Sequence, residues 1–235
     1  MHHPNPIQEA LSADGYCVLN NVFPKESIQG LTDLVESFAS SAEDLFAIRR
    51  FFLVVPGAVQ LIFSSNFIDL VANVFGTGYF VSKSIYFDKT PSSNWFVAWH
   101  QDLTISVDKR IEAAGFGPWT IKENQFSVRP PLAVLEDNFT LRIHLDDTDH
   151  KNGALKVIPG SHLEGIVNPQ SIIGYTGRER VCEVEKGGVM FMKPLLLHAS
   201  GRCIDSRRRR VIHIEFSRTN LPAGIQWSEF LPVVK

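Results

Sequence analysis

Trp95-Phe96-Val97-Ala98-Trp99-His100-Gln101-Asp102 is the stretch from which the chain is read. It is strand-like through His100 and ends on an imidazole and a carboxylate two residues apart. Side chains alternate faces along a strand, so His100 and Asp102 point the same way with Cα atoms ~6.6 Å apart. One divalent metal can be gripped by both. A second histidine from elsewhere would complete a 2-His-1-carboxylate set, which leaves the opposite face of the metal open.

The spacing alone does not select this pair. His144-Leu145-Asp146 and His213-Ile214-Glu215 repeat it on strand-like runs, and a chain with 8 histidines offers such pairs by chance. Context has to choose.

The chain has 235 residues, 44% of them hydrophobic, with 17 phenylalanines, enough for one large core. Its net charge of -2 gives no bulk attraction to nucleic acid or an anionic membrane. Cys17, Cys182 and Cys203 are widely spaced, which argues against a disulfide framework and for a reducing compartment. The first residues lack a basic region followed by an apolar core, and no apolar run approaches the ~20 residues of a membrane span. A cytoplasmic protein handling a small molecule is expected, with its oligomeric state open.

Residues 1–78 read as mostly helical. Ile28, Leu31, Leu34, Val35 and Phe38 recur at helical spacing, as do Phe67, Leu70, Val71, Val74 and Phe75. Ser64, Ser65 and Asn66 precede the second run as capping residues, and Gly76 follows it. From residue 79 to 235 short strands replace helices: Tyr79–Phe87, Trp95–His100, Thr140–Leu145, Ala154–Ile158, Gly188–Lys193 and Val211–Ser217. Asn152-Gly153 and Gly187-Gly188 are hairpin-type turn signals. The expected class is α+β, mainly β: a double-stranded β-helix, or cupin-like jelly roll, with N-terminal helices packed outside one domain of residues 1–235. Residues 103–139, rich in Gly and Pro, read as an irregular stretch and, following Asp102 directly, as a lid.

His198 closes the apolar run from Met190 to Leu197 and opens a polar loop. By itself it reads equally as a metal ligand or as a rim histidine bonded to a backbone carbonyl. The four arginines Arg207 to Arg210 follow. An enzyme using 2-oxoglutarate must hold that acid's far carboxylate, which a guanidinium does bidentately. Arg209 alternates with Val211 and His213, so it can point inward, while the other three read as a solvated charge run.

These pieces together resemble the phytanoyl-CoA dioxygenase family of iron(II)/2-oxoglutarate oxygenases. The matching blocks run in order: Phe87-Asp88-Lys89-Thr90-Pro91, Trp99-His100-Gln101-Asp102, Asn152-Gly153-Ala154-Leu155, Ile158-Pro159-Gly160-Ser161-His162, and His198 with its downstream arginine. Asp14-Gly15-Tyr16 resembles the family's opening. The resemblance implies that His100, Asp102 and His198 bind Fe(2+), and that Arg209 and Ser200 hold 2-oxoglutarate. It further implies that O2 is consumed, that 2-oxoglutarate leaves as succinate and CO2, and that a C–H bond is hydroxylated. Related halogenases lack the carboxylate, so Asp102 favours hydroxylation. Arg142 falls where relatives reach the co-substrate, and it serves equally as a substrate anchor. Arg49 resembles a position near the mouth of the site.

His144 shares a face with Arg142, and His213 with Arg209, so both line the cavity or are structural. His162 is expected to tie down its turn. Arg142, His144 and Lys83 suggest a polar or anionic substrate, whereas Trp119 and Phe126 suggest an apolar wall. The competing class is a cupin-like metal-binding or sensor protein without oxygenase activity. A zinc hydrolase ranks behind it, because no general base adjoins His100 and Asp102.

Overall fold

The computed structural model describes residues 5–39, 46–90, 93–122 and 125–233. Pro91 of the first motif block lies outside them. Two antiparallel sheets face each other. The larger runs β1 (Tyr16–Leu19), β11 (Val189–Met192), β8 (Phe139–His144), β13 (Arg209–Ser217), β3 (Phe80–Lys89) and β14 (Leu231–Pro232), and β2 (Ala47–Arg49) also pairs with β3. The smaller runs β10 (Arg180–Val181), β9 (Leu155–Val157), β12 (His198–Ser200) and β4 (Val97–His100). Facing antiparallel sheets with crossovers form the expected jelly roll.

Both faces of the larger sheet are covered, and its residues divide cleanly between them. On β13, Ile212, Ile214 and Phe216 join the main apolar cluster, as do Phe139, Leu141 and Ile143 of β8 and Val189 and Phe191 of β11. Helices α2 (Lys25–Ala39), α3 (Phe51–Val54), α4 (Ala58–Ile62) and α5 (Ser65–Phe75) supply the other half of that cluster. The intervening residues Arg209, Val211, His213 and Glu215 face the smaller sheet, a direct result of the two-residue period.

Local signals explain the helix ends. Asn5 caps α1 (Pro6–Ala13) in a capping box with Gln8. The Phe67 N–H donates to Ser64 Oγ at the start of α5, and Gly76 ends that helix at φ 90°. Gly15 adopts φ 82°, and a Cβ there would lie 2.5 Å from Nδ1 of His162. The His162 ring accordingly packs on Gly15, with Nε2 donating to the Ser12 carbonyl at 3.2 Å, which ties the Pro-Gly-Ser-His turn to the N-terminal helix.

The N-terminal part is mostly helical, with β1 and β2 added to the larger sheet. One expectation needs correction. Residues 103–139 are not irregular. They form a separate sheet, β5 (Ile105–Val107), β7 (Gln125–Val128) and β6 (Trp119–Lys122), followed by α6 (Leu132–Asp137). This unit has its own cluster of Ile105, Val107, Val128, Val134, Leu135, Leu195 and Ile225. Gly115, Gly117 and the prolines occupy its turns, which masked the short strands between them.

Phe139 is fully buried and stacks on Phe75 and Phe216, with ring centroids 3.6 and 4.6 Å apart. Replacing it opens a cavity between sheet and helices, so Phe139→Ala should cost about 3–5 kcal/mol in a denaturant titration.

Candidate active site

His100 ends β4, His198 begins β12, and the two are cross-strand partners. Asp102 follows two residues after His100 on the same face. Gln101, between them, points the opposite way and is locked there. Its Nε2 donates to the carbonyls of Gly165 at 2.7 Å and Leu195 at 2.6 Å, and its Oε1 accepts from Val167 N–H at 2.8 Å. Asp102 N–H donates to the Pro194 carbonyl at 2.9 Å. The strand end is therefore held on three sides.

The three candidate ligands converge. Asp102 Oδ1 lies 3.9 Å from His100 Nε2, and Oδ2 lies 3.8 Å from His198 Nε2. Each Nδ1 sits against the carbonyl two residues back, 2.8 Å for His100 with Ala98 and 2.9 Å for His198 with Leu196. A carbonyl only accepts, so Nδ1 carries the proton and Nε2 turns its lone pair toward Asp102. Asp102 Oδ2 is buried without a hydrogen-bond partner among the described residues. A buried carboxylate whose two oxygens each face an imidazole lone pair is unfavourable unless a cation sits among them. The donor set fits one divalent metal held on one face.

Burial disfavours the imidazolium of His198 and lowers its pKa to about 4, with Asp102 opposing. Burial works to raise the Asp102 carboxyl, but the groups of His198, His213, Lys83 and His100 outweigh it and hold it at about 2. Neutral imidazole and ionised carboxylate are the forms a metal requires.

A cavity of about 160 Å³ opens beside the triad, lined also by Arg142, Ser200, Arg209, His213 and Glu215. A larger apolar cleft of about 340 Å³ at the C-terminal end of α5 offers no His, Cys, Asp or Glu side chain. The chemistry belongs to the smaller one. Arg209 is 3% exposed, donates from Nη1 to the Gly153 carbonyl, and leaves Nε without a partner. Burial lowers its pKa to about 9, with Arg142 adding to the effect. Lys89, its cross-strand partner on β3, is fully buried and donates to Ser200 Oγ at 3.1 Å and the Gly201 carbonyl at 2.7 Å. Ser200 Oγ in turn donates to the Gly153 carbonyl at 3.0 Å. Arg209 and Lys89 are thus buried side by side without a carboxylate partner among the described residues, an arrangement that would suit an anion.

The Asn-Gly turn underlies this receptor. Gly153 adopts φ 82°, and a Cβ there would meet the Gly201 carbonyl at 2.9 Å. Only glycine lets the two loops close and present one carbonyl to both Arg209 and Ser200.

The arginine run separates as alternation requires. Arg207 pairs with Asp149 and Asp205, Arg208 with Asp88 and Glu36, and Arg210 with Asp146 and Glu36. These three are ion-paired rather than merely solvated, and Arg209 turns inward. The competing pairs separate too. Asp146 faces Arg210 while His144 Nδ1 bonds Thr148 Oγ1 at 2.8 Å, so His144 and Asp146 do not converge. His213 and Glu215 do lie with Asp102 in a second candidate cluster. The cationic position there is held by Lys83, whose Nζ is 2.7 Å from Glu215 Oε1.

Arg142 and His213 are brought together in the cavity. His144 is buried one row away, its pKa driven well down by burial and by Arg142 and Arg209. Trp119 and Arg49 are not among the cavity residues. Trp119 packs with the cluster of the three-stranded sheet, and Arg49 stands on β2 opposite Ile85 of β3. Of residues 103–139, none that is described lines the cavity. Sequence reasoning assigned no role to Lys89 and weighed Glu215 only as a metal ligand. Extending the alternation of Lys83, Ile85 and Phe87 by one step identifies Lys89.

Fold and triad define the class of non-heme iron, 2-oxoglutarate-dependent oxygenases. The model of the phytanoyl-CoA dioxygenase (PhyH) family matches residues 11–211, and the chain belongs to that family. No curated protein matches the sequence. Among solved structures, the chain is similar to the apoform of EctD from S. alaskensis (TM-score 0.70, 16% identity, 97% of this chain and 87% of that one). It is also similar to EvdMO1 (0.68, 22%, 92% and 49%), of which it spans about half the length. The alpha ketoglutarate dependent carbocyclase SnoK from nogalamycin biosynthesis gives 0.67 at 13%, covering 95% and 92%. At these identities the likeness is one of fold. No helix among the described residues is long and apolar enough to cross a membrane.

Lys89 generates a pH prediction. Burial first, then Arg209, lowers its pKa from 10.5 to about 7. Between those values the unfolded chain binds a proton that the folded chain does not, so this residue makes stability rise with pH. Denaturation midpoints of wild type and Lys89→Met from pH 7 to 10 should converge as pH increases; parallel curves would refute the assignment.

Proposed function

We propose that residues 1–235 act as one domain, an iron(II)- and 2-oxoglutarate-dependent dioxygenase that hydroxylates a small molecule in the cytoplasm. The carrying observation is the Asp102 carboxylate, whose orphaned Oδ2 faces His198 Nε2 while its Oδ1 faces His100 Nε2. In this reading those three residues hold the iron, and Arg209, Ser200 and Lys89 hold the far carboxylate of 2-oxoglutarate. Iron in this position supplies oxygen activation, with 2-oxoglutarate leaving as succinate and CO2 while a substrate C–H bond becomes C–OH.

The protein's own contribution is positional. Nδ1–H donation to Ala98 and Leu196 keeps both rings oriented, and Gln101 keeps Asp102 on their side. Arg209 and Lys89 are buried, so their attraction for a carboxylate acts with little solvent screening. Support also comes from structures of EctD from S. alaskensis with bound Fe and with 2-oxoglutarate and 5-hydroxyectoine. A metal-binding protein without oxygenase activity would leave the Arg209, Lys89 and Ser200 receptor without a ligand. The three free cysteines agree with a reducing setting.

Oxygen-free titration of the iron(II)-loaded protein with 2-oxoglutarate should produce the weak visible charge-transfer band of the chelated acid. His198→Ala should lose the band, and Asp102→Ala should make no succinate in air. Arg209→Ala should raise the 2-oxoglutarate Kd by about 10–100-fold, the loss of one charge-assisted contact, with iron affinity little changed. Equal loss of iron and co-substrate binding in Arg209→Ala would remove its assigned role.

A further inference from the structure

We infer that the substrate is a small carboxylic acid, and that Arg142 binds its carboxylate. This rests on the oxygenase reading above and concerns the part of the cavity that reading leaves unassigned.

Arg142 is 6% exposed, lines the cavity, and has no carboxylate partner among the described residues. Its Nη1 lies 3.1 Å from His213 Nδ1, and its Nε is buried with no hydrogen-bond partner among the described residues. An arginine only donates, so His213 Nδ1 accepts and the ring proton sits on Nε2, which faces Glu215 Oε1 at 3.2 Å. Glu215 also accepts from Lys83 at 2.7 Å. The chain Arg142–His213–Glu215–Lys83 therefore fixes the guanidinium from one side and leaves its Nε side unused.

The wall's charges point the same way. Glu215 neutralises Lys83. Asp102 and the metal-side carboxylate of 2-oxoglutarate together offset the two charges of iron(II), and the far carboxylate takes Arg209 and Lys89. Arg142 remains as a buried cation lining the cavity that nothing in the wall cancels, a costly arrangement unless a ligand brings the counter-charge. Its backbone position is also offset from those of the co-substrate receptor. Arg142 pairs across the sheet with His213, whereas Lys89 pairs with Arg209, four residues earlier on β13 and about 13 Å along the strand.

The free side of a guanidinium already held at Nη1 matches a planar carboxylate better than a phosphate, which calls for donors around a tetrahedron.

The test uses the iron(II) and 2-oxoglutarate complex without oxygen, at saturating 2-oxoglutarate. It is titrated with propionate and benzoate, with their primary amides, and with methyl phosphate. The carboxylates should shift the charge-transfer band without bleaching it, at least tenfold more tightly than the amides. Arg142→Gln should lose the shift and Arg142→Lys retain part of it. Both variants should form the band with a 2-oxoglutarate Kd within about threefold of wild type, which also reports correct folding. Equal response to acids and amides, response to methyl phosphate alone, or no response overturns the proposal. So does a tenfold rise in the 2-oxoglutarate Kd of Arg142→Gln, which would move Arg142 to the co-substrate. Absence of the band in wild type would instead defeat the oxygenase reading itself.

Discussion

Gln101 is the constraint on which the site depends. A carboxylate and two imidazoles do not approach within about 4 Å of one another by mutual attraction when both rings present lone pairs. Three hydrogen bonds from one amide anchor the end of β4 to Gly165, Val167 and Leu195. Strand alternation then turns His100 and Asp102 into the cavity, where the pairing of β4 with β12 delivers His198. Backbone and amide hydrogen bonds elsewhere thus maintain an arrangement that electrostatics alone would disperse.

The larger sheet has a comparable division of labour. One face is an apolar layer with the N-terminal helices, dominated by the stacked rings of Phe75, Phe139 and Phe216. The other bears Lys83, Lys89, Arg142, Arg209, His213 and Glu215 toward the smaller sheet. Desolvating so many charged groups opposes folding, and the apolar face offsets it.

The arginine run shows how a sequence signal is resolved by geometry. Four consecutive identical residues carry no internal label. Alternation and the carboxylates around β13 separate them: Arg208 and Arg210 meet acids on the outer side, Arg207 pairs before the strand begins, and Arg209 meets only Gly153 and the cavity. The Asn-Gly turn contributes through Gly153, whose missing side chain lets one carbonyl serve two functional residues.

The six strands read from the sequence between residues 79 and 217 are all present, because each carries four or more residues of alternation or an unbroken apolar run bounded by Gly, Pro or Asn. The helices with Ile28 and Phe67 were legible for the same reason at the other period. What the sequence by itself determined was thus the jelly-roll pattern, the shared face of His100 and Asp102, and the inward register of Arg209. Spacing alone did not distinguish the three His-x-acid pairs, nor reveal the sheet hidden within 103–139, whose short strands are broken up by Gly115, Gly117 and the prolines. Only the tertiary structure decided that Asp146 faces Arg210, that Lys83 occupies the cationic position beside Glu215, that Trp119 packs away from the cavity, and that Lys89 joins Arg209. Each of those outcomes turns on which side chain from a distant segment arrives opposite, and pairing across sheets is a property that no local pattern contains.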